Sequence, residues 1–176
     1  MTSVGIMASG YRVSAPVYGA AQTLIVSGSS GLTDPVTNVT NREGGVRVSF
    51  NAPGRVRQVR FRRRSDSAGT LMIRAWNDST QAKLTEVADV RSTTGLYTVT
   101  FPIDVLVVAG TNYTFSVGGT GAGSLVPITG IDPTVTNTAG MTFSVMRDAS
   151  AGAGNWPNQN SAGNTYYVEP IYEPQV

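Results

Sequence analysis

The chain has 176 residues, a formal net charge of +2, and neither histidine nor cysteine. Those two residue types carry most proton transfer near neutral pH, most transition-metal ligation and all thiol chemistry. Their absence excludes a Ser-His-Asp triad, a cysteine nucleophile and a disulfide framework, and it removes the usual zinc ligands. The length fits one domain with an appendage, large enough for a core that is stable without staples.

Residues 1–41 read as an arm and 42–176 as the folded domain. The first twenty residues lack a basic stretch followed by a continuous apolar one, and no segment approaches the roughly 18 apolar residues of a membrane span. The expectation is synthesis in a host cytoplasm without a signal peptide, with no membrane partner. Two apolar pieces, Val13 to Tyr18 and Thr23 to Val26, are interrupted by Pro16 and Gly19. A turn-and-linker run, Ser27-Gly28-Ser29-Ser30-Gly31, follows. Fully extended, about 40 residues span roughly 130 Å, enough to reach across a neighbouring subunit. Tyr11, Val13, Val17, Tyr18, Leu24 and Val26 are the expected contact residues of such an arm; alternatively its apolar pieces add edge strands to the domain.

From Gly45 the pattern becomes that of strands. Val46, Val48 and Phe50 alternate with Arg47 and Ser49, Val59 shares a face with Phe61, and Leu71, Ile73 and Ala75 oppose Met72, Arg74 and Trp76. Leu84 to Val90 fits a strand or a helical turn. Tyr97, Val99 and Phe101, then Tyr113, Phe115 and Val117 after Ala109-Gly110-Thr111-Asn112, predict consecutive antiparallel strands buried in one core. Residues 118–140 read as a long loop, Met141 to Met146 as a strand, Asp148 to Asn164 as a second long loop, and Thr165 to Tyr172 as the last strand. About eight short strands without a convincing helix predict an all-β protein: an antiparallel two-sheet β-sandwich or jelly roll behind an extended N-terminal arm.

Arginine outnumbers lysine 12 to 1, with nine of the twelve between Arg42 and Arg74. Arg55, Arg57, Arg60, Arg62, Arg63 and Arg64 lie on one strand, where alternation divides them between two faces. An interface to an acidic protein surface is preferred over nucleic acid for this cluster. High-GC coding bias and charge that discourages edge pairing are the plain alternatives. Lys83 is the only lysine, and the eleven carboxylates are scattered, many at turn positions such as Asp34, Asp66, Asp78 and Asp132. No enzyme, cofactor or metal is expected. Trp156, beside Asn155, Asn158 and Asn160, has the composition of a sugar platform; a tryptophan folded back onto the sandwich is the plainer reading.

The order from Gly45 to Tyr172 resembles sandwich modules of bacterial surface and glycan-associated proteins. The likeness rests on Thr94-Gly95-Leu96-Tyr97-Thr98-Val99-Thr100-Phe101, Val107-Val108-Ala109-Gly110-Thr111-Asn112-Tyr113 and Asn164-Thr165-Tyr166-Tyr167-Val168. With its arm, the chain also resembles small virion proteins of tailed bacteriophages. That resemblance implies a non-enzymatic virion structural protein, decorating the capsid surface ahead of a minor tail role. Its partners would be major capsid or tail protein, in a homo-oligomer or high-copy assembly. A carbohydrate-binding module, taking a host glycan, and a surface adhesion domain are the alternatives.

Overall fold

A computed structural model describes residues 14–24, 42–63, 69–93, 95–119, 140–149, 152–160 and 167–176, apart from the side chains of 146–148. Ten strands carry the fold: β1 (Gln22–Thr23), β2 (Glu43–Phe50), β3 (Gly54–Arg63), β4 (Leu71–Asn77), β5 (Ala82–Asp89), β6 (Gly95–Val107), β7 (Asn112–Gly119), β8 (Met141–Ala149), β9 (Gln159–Asn160) and β10 (Val168–Pro174). No helix occurs among the described residues. A four-stranded antiparallel sheet, in the order β1-β10-β3-β6, packs against a six-stranded one, β5-β4-β7-β2-β8-β9. This is the β-sandwich that the alternation predicts.

The inward faces are the predicted ones. Val46, Val48 and Phe50 of β2, Leu71, Ile73 and Ala75 of β4, and Tyr113, Phe115 and Val117 of β7 are all buried. Val56, Val59 and Phe61 of β3, with Val168 and Tyr172 of β10, bury the opposing face. Phe50 sits at the junction, 5.7 Å from Tyr113, 6.4 Å from Phe115 and 4.7 Å from Tyr172, ring centre to ring centre. Such offset and edge contacts are the favoured arrangement of aromatic rings.

Residues 84–90, undecided by periodicity, lie mostly in β5, which pairs with β4 at the edge of the larger sheet. Strands β6 and β7, predicted to share one core on facing or adjacent strands, do so from facing sheets and not as a hairpin. Strand β6 pairs with β3 and β7 with β2 and β4, so the connection crosses from one sheet to the other. Gly110 makes that crossing with φ at +74°, a conformation glycine adopts without a steric penalty. Its N–H donates to the Phe50 carbonyl at 2.8 Å, and the Tyr113 hydroxyl accepts the Val108 N–H at 3.1 Å.

Register in β6 slips where Val56 pairs with Val105 but Gln58 pairs with Thr100. Phe101 to Asp104 therefore stand opposite the single residue Arg57. Phe101 stays in the core while Ile103 is pushed into solvent and Asp104 turns toward β3. Bulges of this kind bend a strand and re-aim its side chains.

Candidate functional site

The described part of the arm, residues 14–24, runs antiparallel along β10. Gln22 and Thr23 pair with Tyr172 and Ile171, Tyr18 bridges Gln175, Gly19 N–H donates to the Pro174 carbonyl at 2.7 Å, and Val176 N–H donates to the Val17 carbonyl at 3.0 Å. Leu24, expected as an attachment residue, is 1% exposed and belongs to the domain's own core. Tyr18 is half-buried beneath Arg55, whose guanidinium carbon lies 4.0 Å from the ring centre. Val17 stays exposed. Tyr11, Val13 and Val26 lie outside the described residues.

The arginine cluster meets acids of its own chain. In the outward register of the smaller sheet Arg55 stands opposite Glu173 and Arg60 opposite Glu169. Arg55 binds Glu173 at 2.7 Å and Asp104 at 3.0 Å, Arg57 approaches Asp104 at 3.3 Å, and Arg60 binds Glu169 at 2.6 Å. Arg62 is half-buried on the same strand, its backbone N–H bonded to the Tyr167 carbonyl. Arg63 points inward, 1% exposed, and bridges to Asp89 of the other sheet at 2.9 Å while also bonding the Gly69 carbonyl. Arg64 lies outside the described residues. The acids expected on a neighbouring protein are thus supplied within the chain to Arg55, Arg57, Arg60 and Arg63.

The outer face of the larger sheet carries a continuous polar chain. Trp76 Nε1 donates to Ser116 Oγ (2.7 Å), Ser116 Oγ to Glu43 Oε1 (2.6 Å), Arg74 to Glu43 Oε2 (2.6 Å) and to Glu86 (3.0 Å), and Lys83 to Glu86 (2.7 Å). Room for the Glu43 carboxylate comes from Gly118, where any Cβ would overlap Oε2. The loop expected to carry a sugar platform folds over this face. Gly152 and Gly154 take positive φ, and the Gly154 N–H donates to Glu43 Oε2 at 3.0 Å. Asn155, Asn158 and Asn160 are exposed, with Asn160 in β9; Trp156 is half-buried and its indole nitrogen is turned away from solvent. Burial raises the Glu43 pKa above its ordinary 4.5, against the opposing pull of Arg74, Ser116 and Gly154. Lys83 first, then Arg74, lowers that of Glu86.

A third feature lies where the arm meets the end of the smaller sheet. Residues 14–18, Pro53, Gly54, Leu106, Val107, Gln175 and Val176 line an open depression of about 460 Å³. Three of its apolar side chains are turned to solvent: Val17 (63% exposed), Leu106 (67%) and Val176 (77%), with exposed Val108 beside them in sequence. In the run Val105 to Val108, Val105 and Val107 are buried while Leu106 and Val108 face solvent, an outward apolar pair that the sequence analysis did not single out. The signal was there: four consecutive apolar residues are apolar on both faces of a strand whose outer face needs none.

A family model for a domain of unknown function, DUF4082, matches residues 33–168. The chain belongs to the DUF4082 family. The match spans β2 to β9 and reaches the first residue of β10, so the DUF4082 region covers most of both sheets, while the segment along β10 and the last residues of the depression lie outside it. No curated protein matches the chain.

Proposed function

We propose that this chain is a non-enzymatic structural protein that attaches to a larger assembly through the end of the sandwich where residues 14–18, Leu106 and Val176 meet. The observation that carries this reading is the cluster of exposed apolar side chains around one concave surface. Solvent-exposed apolar groups gathered at one place favour a partner that removes them from water, by about 25 cal/mol per Å² buried. The identity of the assembly as a phage particle, with capsid surface ahead of tail, rests on the sequence resemblance. The DUF4082 description assigns no activity of its own.

The test is incorporation into particles. Leu106→Glu with Val108→Glu should leave a folded domain, because both side chains are already exposed, and should abolish co-sedimentation with particles. Leu84→Glu, which charges an exposed position on β5 instead, should have no effect. Equal incorporation of all three proteins would remove this surface from the function.

A carbohydrate-binding role is a second reading, supported by the exposed amides of Asn155, Asn158 and Asn160 on a loop that Glu43 holds in place. Glycan-array binding that survives the Leu106/Val108 change and is lost in Asn158→Ala would favour it.

A further inference from the structure

The outer edge of β10 is a built seat for an extended segment. Gln22 and Thr23 stand opposite Tyr172 and Ile171, and Tyr18 bridges Gln175. The Gly19 N–H donates to the Pro174 carbonyl at 2.7 Å, and the Val17 carbonyl accepts the Val176 N–H at 3.0 Å. Side chains fix the segment at three points. Tyr18 lies beneath the Arg55 guanidinium, which Glu173 and Asp104 hold in position from the other side. Gln22 fills the place that a Cβ on Gly140 would take, and Leu24 enters the core at 1% exposure. Main-chain bonds along a sheet edge with pockets for particular side chains are the elements of peptide recognition by strand addition.

Seat and segment are tied with unequal strength. Strand β10 pairs with β3 from Val168 to Pro174, whereas the segment meets β10 at Gln22, Thr23 and the Tyr18 bridge. Between those points Gly19 to Ala21 face only Glu173 and Pro174, so the register slips by one residue. Proline brings no N–H to that interval. Ser14 to Leu24 carry no charge, so docking the segment desolvates none. Few main-chain bonds and partial exposure are the marks of a unit that opens ahead of the rest of a fold. We infer that the β10 edge is a strand-acceptor site whose ligand, residues 14–24, lifts from it as a unit, and that the emptied edge takes an uncharged extended peptide with the same Tyr, Gln and Leu anchors. The attachment reading concerns the exposed depression next to this site, and the inference does not depend on it.

The probe is a fluorophore-labelled, amidated peptide of the sequence Ser14 to Leu24, added to the full chain. Leu24→Asp should release the tethered segment, and that chain should bind the peptide at least tenfold more tightly than wild type. In wild type the tethered segment competes at an effective concentration in the millimolar range. The peptide carrying Tyr18→Ala or Leu24→Asp should bind the released chain at least tenfold more weakly. Gly19→Pro removes the N–H donated to Pro174 and leaves the core untouched; it should release the segment in the same way, and it carries the test where Leu24→Asp does not fold. In the wild type, the amides of Gly19 and Val176 should exchange hydrogen at a common rate, at least tenfold faster than those joining β10 to β3. A folded, released chain that does not bind the peptide would overturn the inference. Equal binding by wild type and variants would place the peptide elsewhere and overturn it too. So would exchange at Gly19 and Val176 no faster than between β10 and β3, because the segment would then open only with the sheet.

Discussion

Glu43 shows how one carboxylate organises a face of this protein. It stands on β2, takes hydrogen bonds from Ser116 on β7, Arg74 on β4 and the backbone of Gly154, and has no solvent exposure. Loss of water costs its ionised form more than these partners return, so the folded chain holds the proton to higher pH than the unfolded chain does. Above pH 4.5 and up to the raised value, the folded state binds more protons than the unfolded one, and stability falls as pH rises. The contribution is fully present below 4.5 and lost on passing upward through the folded value. Glu86 has the opposite sign, because its lowered pKa makes its contribution present above 4.5 and lost as pH falls. The stability of the wild type relative to Glu43→Gln should therefore decline as pH rises above about 4.5, whereas relative to Glu86→Gln it should decline as pH is lowered below about 4.5. Urea melts of the three proteins on both sides of that pH check both signs; parallel curves for wild type and Glu43→Gln would contradict the shift assigned to Glu43.

At the scale of elements, the strands were legible wherever one face is apolar and the next residue polar, as in Val46/Val48/Phe50 and Leu71/Ile73/Ala75. Partner choice was not, because β6 and β7 have equally good alternation whether they pair or face each other across the core. The inward turn of Arg63 was legible in principle, since it shares the phase of Val59 and Phe61, and Val56 and Val59 are out of phase by one residue, which signals the bulge at Arg57. The acids that meet Arg55 and Arg60 became visible only with the register of β10 against β3. Arg63 and Asp89 now join the two sheets as a buried ion pair, and such a pair is costly to break from one side and inexpensive to replace whole. Asp89→Leu takes the carboxylate away from the buried Arg63 guanidinium and should cost about 3 kcal/mol or more. Arg63→Met should cost less, because Arg91 lies 3.3 Å from Asp89 and continues to answer its charge. The double variant Arg63→Met/Asp89→Leu should recover most of the loss, within about 1 kcal/mol of wild type. A double variant less stable than Asp89→Leu alone would show that the pair contributes more than its desolvation costs.

For the whole molecule, the distribution of charge decides what kind of attachment it can make. The sequence presents a basic block followed by a neutral to acidic half, which by itself predicts electrostatic docking. Folding brings the halves together: β10 supplies Glu169 and Glu173 to Arg60 and Arg55, the β6 bulge supplies Asp104 to Arg55 and Arg57, and β5 supplies Asp89 to Arg63. Charge answered at contact distance leaves little long-range field for an acidic partner, whereas the apolar end surface is indifferent to ions. Screening lengths fall from about 10 Å at 0.1 M salt to about 3 Å at 1 M. Attachment through the arginines would weaken steeply over that interval. Attachment through Leu106, Val108 and the arm should hold or strengthen, since salts excluded from protein surfaces favour apolar burial. The fraction of protein retained on particles, measured by sedimentation at both salt concentrations, should therefore be unchanged or higher at 1 M, and Arg57→Gln should retain it equally. A fall of tenfold or more at high salt, reproduced at low salt by Arg57→Gln, would return the docking role to the basic strand and take it from the end of the sandwich.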